Sequence, residues 1–325
     1  MFLSCFSNPI VLGLFLVVGF ALLVKGADWL VDGASSFAKQ LGVTDLVIGL
    51  TVVAFGTSMP EFVVNMVSVA DGATDLAITN ILGSNSINTL VILGCSALVY
   101  PVVAQRDTIR IDIPLNILAG VMVAAFVLVT MPFETFKGLS RIEGMTLLTI
   151  FAAFLIHTVR TAKQDVPAQD NTAALPLWKC MLLVLLGLVC LVAGGEMIVK
   201  SATTVARRFG VAESVIGLTV VALGTSLPEL ATSVVAAFKR NSDIAIGNVV
   251  GSNIFNVFFI LGTSALIKPL PVYQNIETDI FLTAFSAALV WLLLIINKKR
   301  TITRFGGAVM LIVYAAYLTY RLITN

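Results

Sequence analysis

The chain reads as an all-α polytopic membrane protein, ten transmembrane helices arranged as two inverted five-helix repeats with broken core helices. Three observations predict this. The 325 residues are 58% hydrophobic and 12% charged, with a mean hydropathy of +1.01, whereas soluble domains carry roughly twice that charged fraction. Apolar runs of about 20 residues, long enough to cross a bilayer, recur along the whole length. The third observation is a gapless internal duplication. Gly49–Glu61 reads GLTVVAFGTSMPE and Gly217–Glu229 reads GLTVVALGTSLPE; GSNSIN at Gly83–Asn88 is matched by GSNIFN at Gly251–Asn256. Each residue lies 168 positions before its counterpart, and the register holds from about Gly26–Pro101 to Gly194–Pro269. A repeat of that length governs the architecture.

The elements follow in order. The first apolar run is Asn8 to about Lys25, extending past Asp28 and Asp32 if the helix is long and tilted. No basic segment precedes it, so no cleaved signal peptide is expected. The second span is about Asp45–Ala70, interrupted by Gly56 and Pro60, and the third about Leu76–Leu98, broken near Gly83. Spans four and five are Ile111–Met131 and about Met145–Val159. The polar run Arg160–Ala174 is the linker. The second set is about Trp178–Val199, Glu213–Phe238, Ile244–Ile267, Ile280–Ile296 and Gly306–Ile323. The domain division is therefore 1–160 for the first repeat, with its motif region at 49–101. A cytoplasmic linker at 161–176 follows, then 177–325 for the second repeat, with its motif region at 217–269.

Five spans per copy is an odd number, so the second copy starts on the opposite side of the membrane. The halves must be inverted relative to each other, the architecture of alternating-access transporters. With the N-terminus outside, about twelve Lys and Arg fall in inside loops against seven outside, with Arg207 and Arg208 the exceptions. The balance places both termini outside the cytoplasm. The basic residues sit in loops between spans, so the net charge of +2 carries no sign of nucleic-acid binding. Cys5, Cys95, Cys180 and Cys190 show no paired spacing and read as small core residues.

The repeated motifs carry the chemistry. Glu61 and Glu229 are carboxylates inside apolar spans, where a lone charge costs several kcal/mol or more. No Lys or Arg lies near either in its own broken helix, so the natural counter-charge is a bound cation. Thr57, Ser58 and Glu61 fall at i, i+1 and i+4, so Thr57 and Glu61 share a helix face. Gly56 and Pro60 loosen the backbone ladder and are expected to free carbonyls such as that of Ala54. Ser58 lies beside them, and Ser84 and Asn88 put a hydroxyl and an amide oxygen on one face. By symmetry the second half supplies Ala222, Thr225, Ser226, Ser252 and Asn256. The result is an oxygen-only cage, which hard cations such as Ca²⁺ and Na⁺ prefer. Asn80, Asn85, Asn248 and Asn253 fit hydrogen bonding between helices better than ligation. Asp28, Asp32 and Glu196 read as solvated ends, and Asp75 and Asp243 as helix N-caps.

GTSMPE and GTSLPE, each followed by GSNxxN, resemble the α-1 and α-2 repeats of the cation/Ca²⁺ exchanger superfamily, closest to its compact prokaryotic sodium/calcium exchangers. The resemblance covers nearly the whole chain. It implies exchange of Na⁺ for Ca²⁺ by alternating access across the plasma membrane, with cytosolic Ca²⁺ extruded at the expense of the Na⁺ gradient. By motif match it makes Glu61 and Glu229 the central ligands, with Thr57, Ser58, Ser84, Thr225, Ser226 and Ser252 completing the Ca²⁺ and Na⁺ sites. Asn88 and Asn256 would flank the centre. It also implies that the first and sixth helices slide across the other eight. Some members carry Asp where this chain has Asn256, a departure that leans towards potassium independence. The expected partners are the two ions and the lipid bilayer, with no cofactor, no nucleic acid and a functional monomer. The alternative is a Ca²⁺/H⁺ exchanger using the same glutamates, since a desolvated carboxylate readily takes a proton. An ion channel would need a continuous pore, usually built by oligomers. An enzyme would need an activated nucleophile or metal-bound water, but HExxH is absent and His157 is the only histidine.

Overall fold

The computed structural model describes residues 9–128, 137–162, 175–210, 222–272 and 276–324. In chain order the helices are α1 (Pro9–Leu41), α2 (Asp45–Thr57), α3 (Met59–Ala70), α4 (Thr74–Val99), α5 (Thr108–Leu128) and α6 (Arg141–Thr161). The second set is α7 (Leu177–Arg208), α8 (Ala222–Thr225), α9 (Leu227–Phe238), α10 (Ser242–Ile267), α11 (Ile276–Ile296) and α12 (Arg304–Thr324). Eight of these are long and apolar enough to span on their own, and α2 with α3 forms a ninth span bent by 45°. The seventh expected span is described only from Ala222 onward, so the start of the second motif lies outside the described residues.

Position within the bundle follows from sequence. The most apolar stretches of α4 and α10 are 78% and 94% buried, against 28% for α1 and α7, so the two GSN helices form the interior. Each carries a GSN motif, and small side chains let backbones approach closely. Gly251 shows this: a Cβ there would lie 2.6 Å from the Leu50 carbonyl oxygen of α2. First-repeat α2 thus packs directly on second-repeat α10.

The first expected span proves longer than its most apolar part. α1 runs on through Asp28 and Asp32 to Leu41, and α7 matches it with 32 residues. At 1.5 Å per residue each is about 50 Å long, more than the hydrocarbon thickness, so both tilt. They cross each other antiparallel along a heptad of small residues. Gly19 meets Gly194, Gly26 meets Gly187, and Gly33 meets Cys180; a Cβ on Gly26 would stand 2.8 Å from the Gly187 carbonyl oxygen. The antiparallel seam is direct evidence of inversion, because α1 and α7 occupy equivalent positions in the two copies.

Two short strand pairs carry the same symmetry. β1 (Val102–Val103) pairs antiparallel with β4 (Thr301–Ile302), and β2 (Gly138–Leu139) with β3 (Leu270–Pro271). Each pair joins one repeat to the other. The turn after α3 also matches that after α9: Gly72 and Arg240 both have positive φ, +83° and +60°.

Some local expectations change. Asp243 does not cap α10; the Asn241 side chain accepts from the Ile244 N–H at 3.0 Å, and Asp243 instead takes the Gln105 amide at 2.6 Å. The N-cap of α4 is Ala73 without a side-chain bond, so Asp75 sits in the first turn. Cys95, Cys180 and Cys190 are free thiols; Cys5 lies outside the described residues.

Candidate cation-binding site

The helix break falls at Ser58 and, by symmetry, at Ser226. Their φ, ψ values of −85°, 8° and −88°, 7° leave the helical region, and Pro60 and Pro228 sit in the first turn of the helices that follow. Proline fits there because a first-turn N–H has no partner within its helix anyway. Glu61 and Glu229 thereby fall in the first turns of α3 and α9, where the positive end of the helix dipole favours a carboxylate.

The break has two consequences that regular spacing misses. Thr57 ends α2 while Glu61 belongs to α3, so they do not share one continuous helix face. The Ala54 carbonyl is not released either; it accepts the Ser58 N–H at 3.0 Å and lies 3.4 Å from the Thr57 hydroxyl. The carbonyl that loses its i+4 donor is that of Gly56, because Pro60 carries no N–H.

Both glutamates are 0% exposed, and among the described residues no ion pair reaches either of them. Their hydroxyl partners come from both halves. Ser58 Oγ donates to Glu229 Oε1 at 2.8 Å, and Ser226 Oγ donates to Glu61 Oε1 at 3.2 Å. Ser84 Oγ reaches Glu61 Oε1 at 3.4 Å and also lies 3.4 Å from Ser226 Oγ. The two halves are therefore interlocked at the centre.

Around this core the amides form ordered relays. Asn248 Nδ2 donates to Ser233 Oγ at 2.9 Å and to the Glu229 carbonyl at 3.3 Å, which turns its Oδ1 to accept Thr57 Oγ1 at 3.0 Å. In the first half Asn80 Nδ2 donates to Asn65 Oδ1 at 2.8 Å. Between α4 and α10, Asn85 Nδ2 donates to the Asn253 carbonyl and Asn256 Nδ2 to Asn85 Oδ1, at 3.3 and 3.0 Å. The asparagines outside the proposed ligand set thus do bond across helices.

Seven of the thirteen buried side-chain polar atoms without a hydrogen-bond partner among the described residues belong to the repeated motifs: Glu61 Oε2, Glu229 Oε2, both amide atoms of Asn88, Ser252 Oγ, Asn253 Oδ1 and Asn256 Oδ1. All but one of them, Asn88 Nδ2, are oxygens. Buried polar groups are normally paired, and an orphan costs about 1–3 kcal/mol, more when charged. Two buried carboxylates, each with one oxygen unsatisfied, in motifs that hold further unsatisfied oxygens have the donor chemistry of a hard cation. Groups of three or more His, Cys, Asp or Glu suited to a metal are absent from the described residues; this cage instead draws on two acids and neutral oxygens. Thr225 ends α8 in the place equivalent to Thr57, and the side chain of Ala222 is outside the described set.

Inverted halves with a shared, buried, oxygen-lined centre define a secondary transporter of cations. The family model for the sodium/calcium exchanger protein matches residues 11–160 and 179–323, and the chain belongs to that family. It is a transporter, not an enzyme. Among its relatives, the sodium/calcium exchanger MaX1 of Methanosarcina acetivorans is 32% identical over 94% of this chain and 97% of its own length. The inner membrane protein YrbG of Escherichia coli K12 is 40% identical over 78% and 79%. A solved structure of the sodium-calcium exchanger NCX_Mj, soaked with 10 mM Na⁺ and zero Ca²⁺, superposes with a TM-score of 0.81 at 29% identity, covering 95% of this chain and 99% of that one.

Proposed function

We propose that the protein exchanges Na⁺ for Ca²⁺ by alternating access, with Glu61 and Glu229 as the shared central ligands. One observation carries the reading: two fully buried carboxylates, one per inverted half, each hydroxyl-bonded through one oxygen and unsatisfied at the other. Two carboxylates match the charge of one Ca²⁺. Ser58, Ser84, Ser226 and Ser252, the amide oxygens of Asn88 and Asn256, and the carbonyls near Ala54, Thr57, Ala222 and Thr225 supply neutral oxygens. Na⁺ and Ca²⁺ compete for these, so each displaces the other. An occupied cage is neutralised, which lowers the cost of moving it through the low-dielectric interior.

With both termini outside and the linker in the cytoplasm, an inward Na⁺ gradient drives Ca²⁺ out of the cell across the plasma membrane. One chain contains both glutamates, so the monomer is the functional unit.

The test is radiolabelled Ca²⁺ uptake into Na⁺-loaded proteoliposomes diluted into Na⁺-free buffer, with the pH gradient clamped. Uptake that needs the Na⁺ gradient and vanishes in Glu61→Gln and in Glu229→Gln is the expected result. Uptake that ignores Na⁺ and follows an imposed pH gradient would move the assignment to Ca²⁺/H⁺ exchange.

A further inference from the structure

We infer that Lys239 is an ion-pair latch holding the long helix α1 to the core, and that the repeat carries a charge-reversed counter-latch at the other membrane face. Lys239 closes α9, a helix that bears the site. Its Nζ lies 2.6 Å from Asp28 Oδ1 and 2.6 Å from Asp32 Oδ1, and donates to the Asp28 carbonyl at 3.1 Å. The two acids are one turn apart on α1, so a single ammonium straddles them. Lys25, also on α1, holds the second oxygen of Asp28 at 3.0 Å.

Beside the latch, Asn241 Nδ2 donates to Ser35 Oγ at 2.9 Å and to Asp45 Oδ2 at 2.6 Å, and Ser35 donates to the same carboxylate oxygen at 3.1 Å. These ties join α1 to the core through its C-terminal half. Elsewhere α1 and α7 meet along the glycine seam, and their contacts with the site helices are apolar, as where Leu188 of α7 lies against Gly56 and Ala231 and Ala236 of α9 join the α1 cluster.

The 168-residue offset shows what stands at the opposite face. Lys239 corresponds to Asp71, Asp28 to Glu196, Asp32 to Lys200 and Asn241 to Ala73. The signs are exchanged at two of these positions: the core now offers an acid and the long helix α7 a lysine. In this structure the second set is disengaged. Lys200 is turned onto Glu196 of its own helix at 2.5 Å, and Asp71 is exposed with no ion pair within 4 Å among the described residues. Lys268 lies beside its turn, its Nζ 3.2 Å from where a Cβ on Gly72 would stand. Thr203, the counterpart of Ser35, has a hydroxyl without a partner among the described residues.

Inverted repeats exchange conformations when access alternates. In the opposite state Asp71 occupies the place Lys239 holds here, and Lys200 leaves Glu196 to pair with it. Lys239 correspondingly lets go of Asp28 and Asp32. One latch is closed in each state. The charge reversal fits each residue to its own long helix: an acid at 239 would repel both Asp28 and Asp32, and a lysine at 71 would repel Lys200 and compete with it for Glu196. This inference rests on the alternating-access reading above but not on which ions are carried.

The experiment measures how fast a short bis-methanethiosulfonate reagent bridges Asp71→Cys to Lys200→Cys in the purified full chain, with peptide mapping to identify the bridge. Adding Lys239→Met is expected to speed bridging about fivefold, the population shift worth one well-formed partly exposed ion pair. Lys239→Arg should leave the rate unchanged, and exchanging the charges (Asp32→Lys with Lys239→Asp) should restore the slow rate. An unchanged rate with Lys239→Met, or an Arg variant that behaves like Met, overturns the latch. Parallel Ca²⁺ uptake by the parent separates the two readings: latch-dependent bridging in a parent that moves no Ca²⁺ would retain the latch and remove the assigned substrate.

Discussion

Ser58 and Ser226 show how a single residue links the halves. Each sits at the break of its own half and donates to the glutamate of the other, Ser58 to Glu229 and Ser226 to Glu61. A hydroxyl bond to a charged oxygen is worth about 1.5–3 kcal/mol. A double-mutant cycle on Ca²⁺ affinity, read by calorimetry, should therefore couple Ser58→Ala to Glu229→Gln and leave it near-additive with Glu61→Gln. The reverse pattern would refute the crossed geometry. Thr57 offers a second residue-scale prediction. Its hydroxyl is the partner of Asn248 Oδ1, so Thr57→Val strands a buried amide oxygen and should lower stability by about 1–3 kcal/mol. Thr57→Ser keeps the donor and should melt close to the parent. Equal melting of the two variants would show that the bond contributes little.

At the scale of elements, the π-helical turns and the glycine seam do most of the positioning. A wide turn spans Ile87–Ile92 in α4 and Phe255–Leu261 in α10, at matching places just after the GSN motifs. Such turns recur at functional sites because they re-aim side chains within a continuous helix; here they carry Asn88 and Asn256. The seam makes a sharper prediction. Gly26→Ala and Gly187→Ala each put a Cβ 2.8 Å from a backbone oxygen of the facing helix, and backbone cannot rotate aside. Each should cost roughly 1–3 kcal/mol as an overpacked contact, seen as a lower Tm in detergent. Gly13→Ala, with nothing within 4 Å, serves as the control and should be neutral or slightly stabilising through helix propensity. A Gly26→Ala protein as stable as the Gly13→Ala protein would argue against the close crossing.

The whole molecule is an interleaved pair of inverted copies, not two lobes side by side. α1 packs on α7, α2 on α10, and each strand pair takes one member from each repeat. Ten spans return the chain to its starting side, and the positive-inside balance is the ground for proposing that this side is outside the cytoplasm. Alkaline phosphatase fused after the last residue should then be active, and a fusion within the 161–176 linker inactive. The opposite pattern would invert the molecule in the membrane, while the direction of exchange would still follow the ion gradients.

Much of this was legible in the sequence. The 168-residue offset, the odd span count and the paired GTS-PE and GSN motifs determine the membrane class and the inversion and single out Glu61, Glu229 and the serines that bond them, because duplication and hydropathy are properties of the linear chain. Spacing misled where the helix is not regular: Thr57 and Glu61 look like neighbours on one face until Ser58 breaks it, and Asp243 looks like a cap that Asn241 supplies. The remaining features belong to the tertiary structure. That Ser58 serves Glu229 and not Glu61, that Gly26 meets Gly187, and that Lys239 holds Asp28 and Asp32 are contacts across 161 to 211 residues of separation. A repeat shows which positions are equivalent, but contact between the copies depends on how two inverted bundles interlock, and only packing in three dimensions decides that.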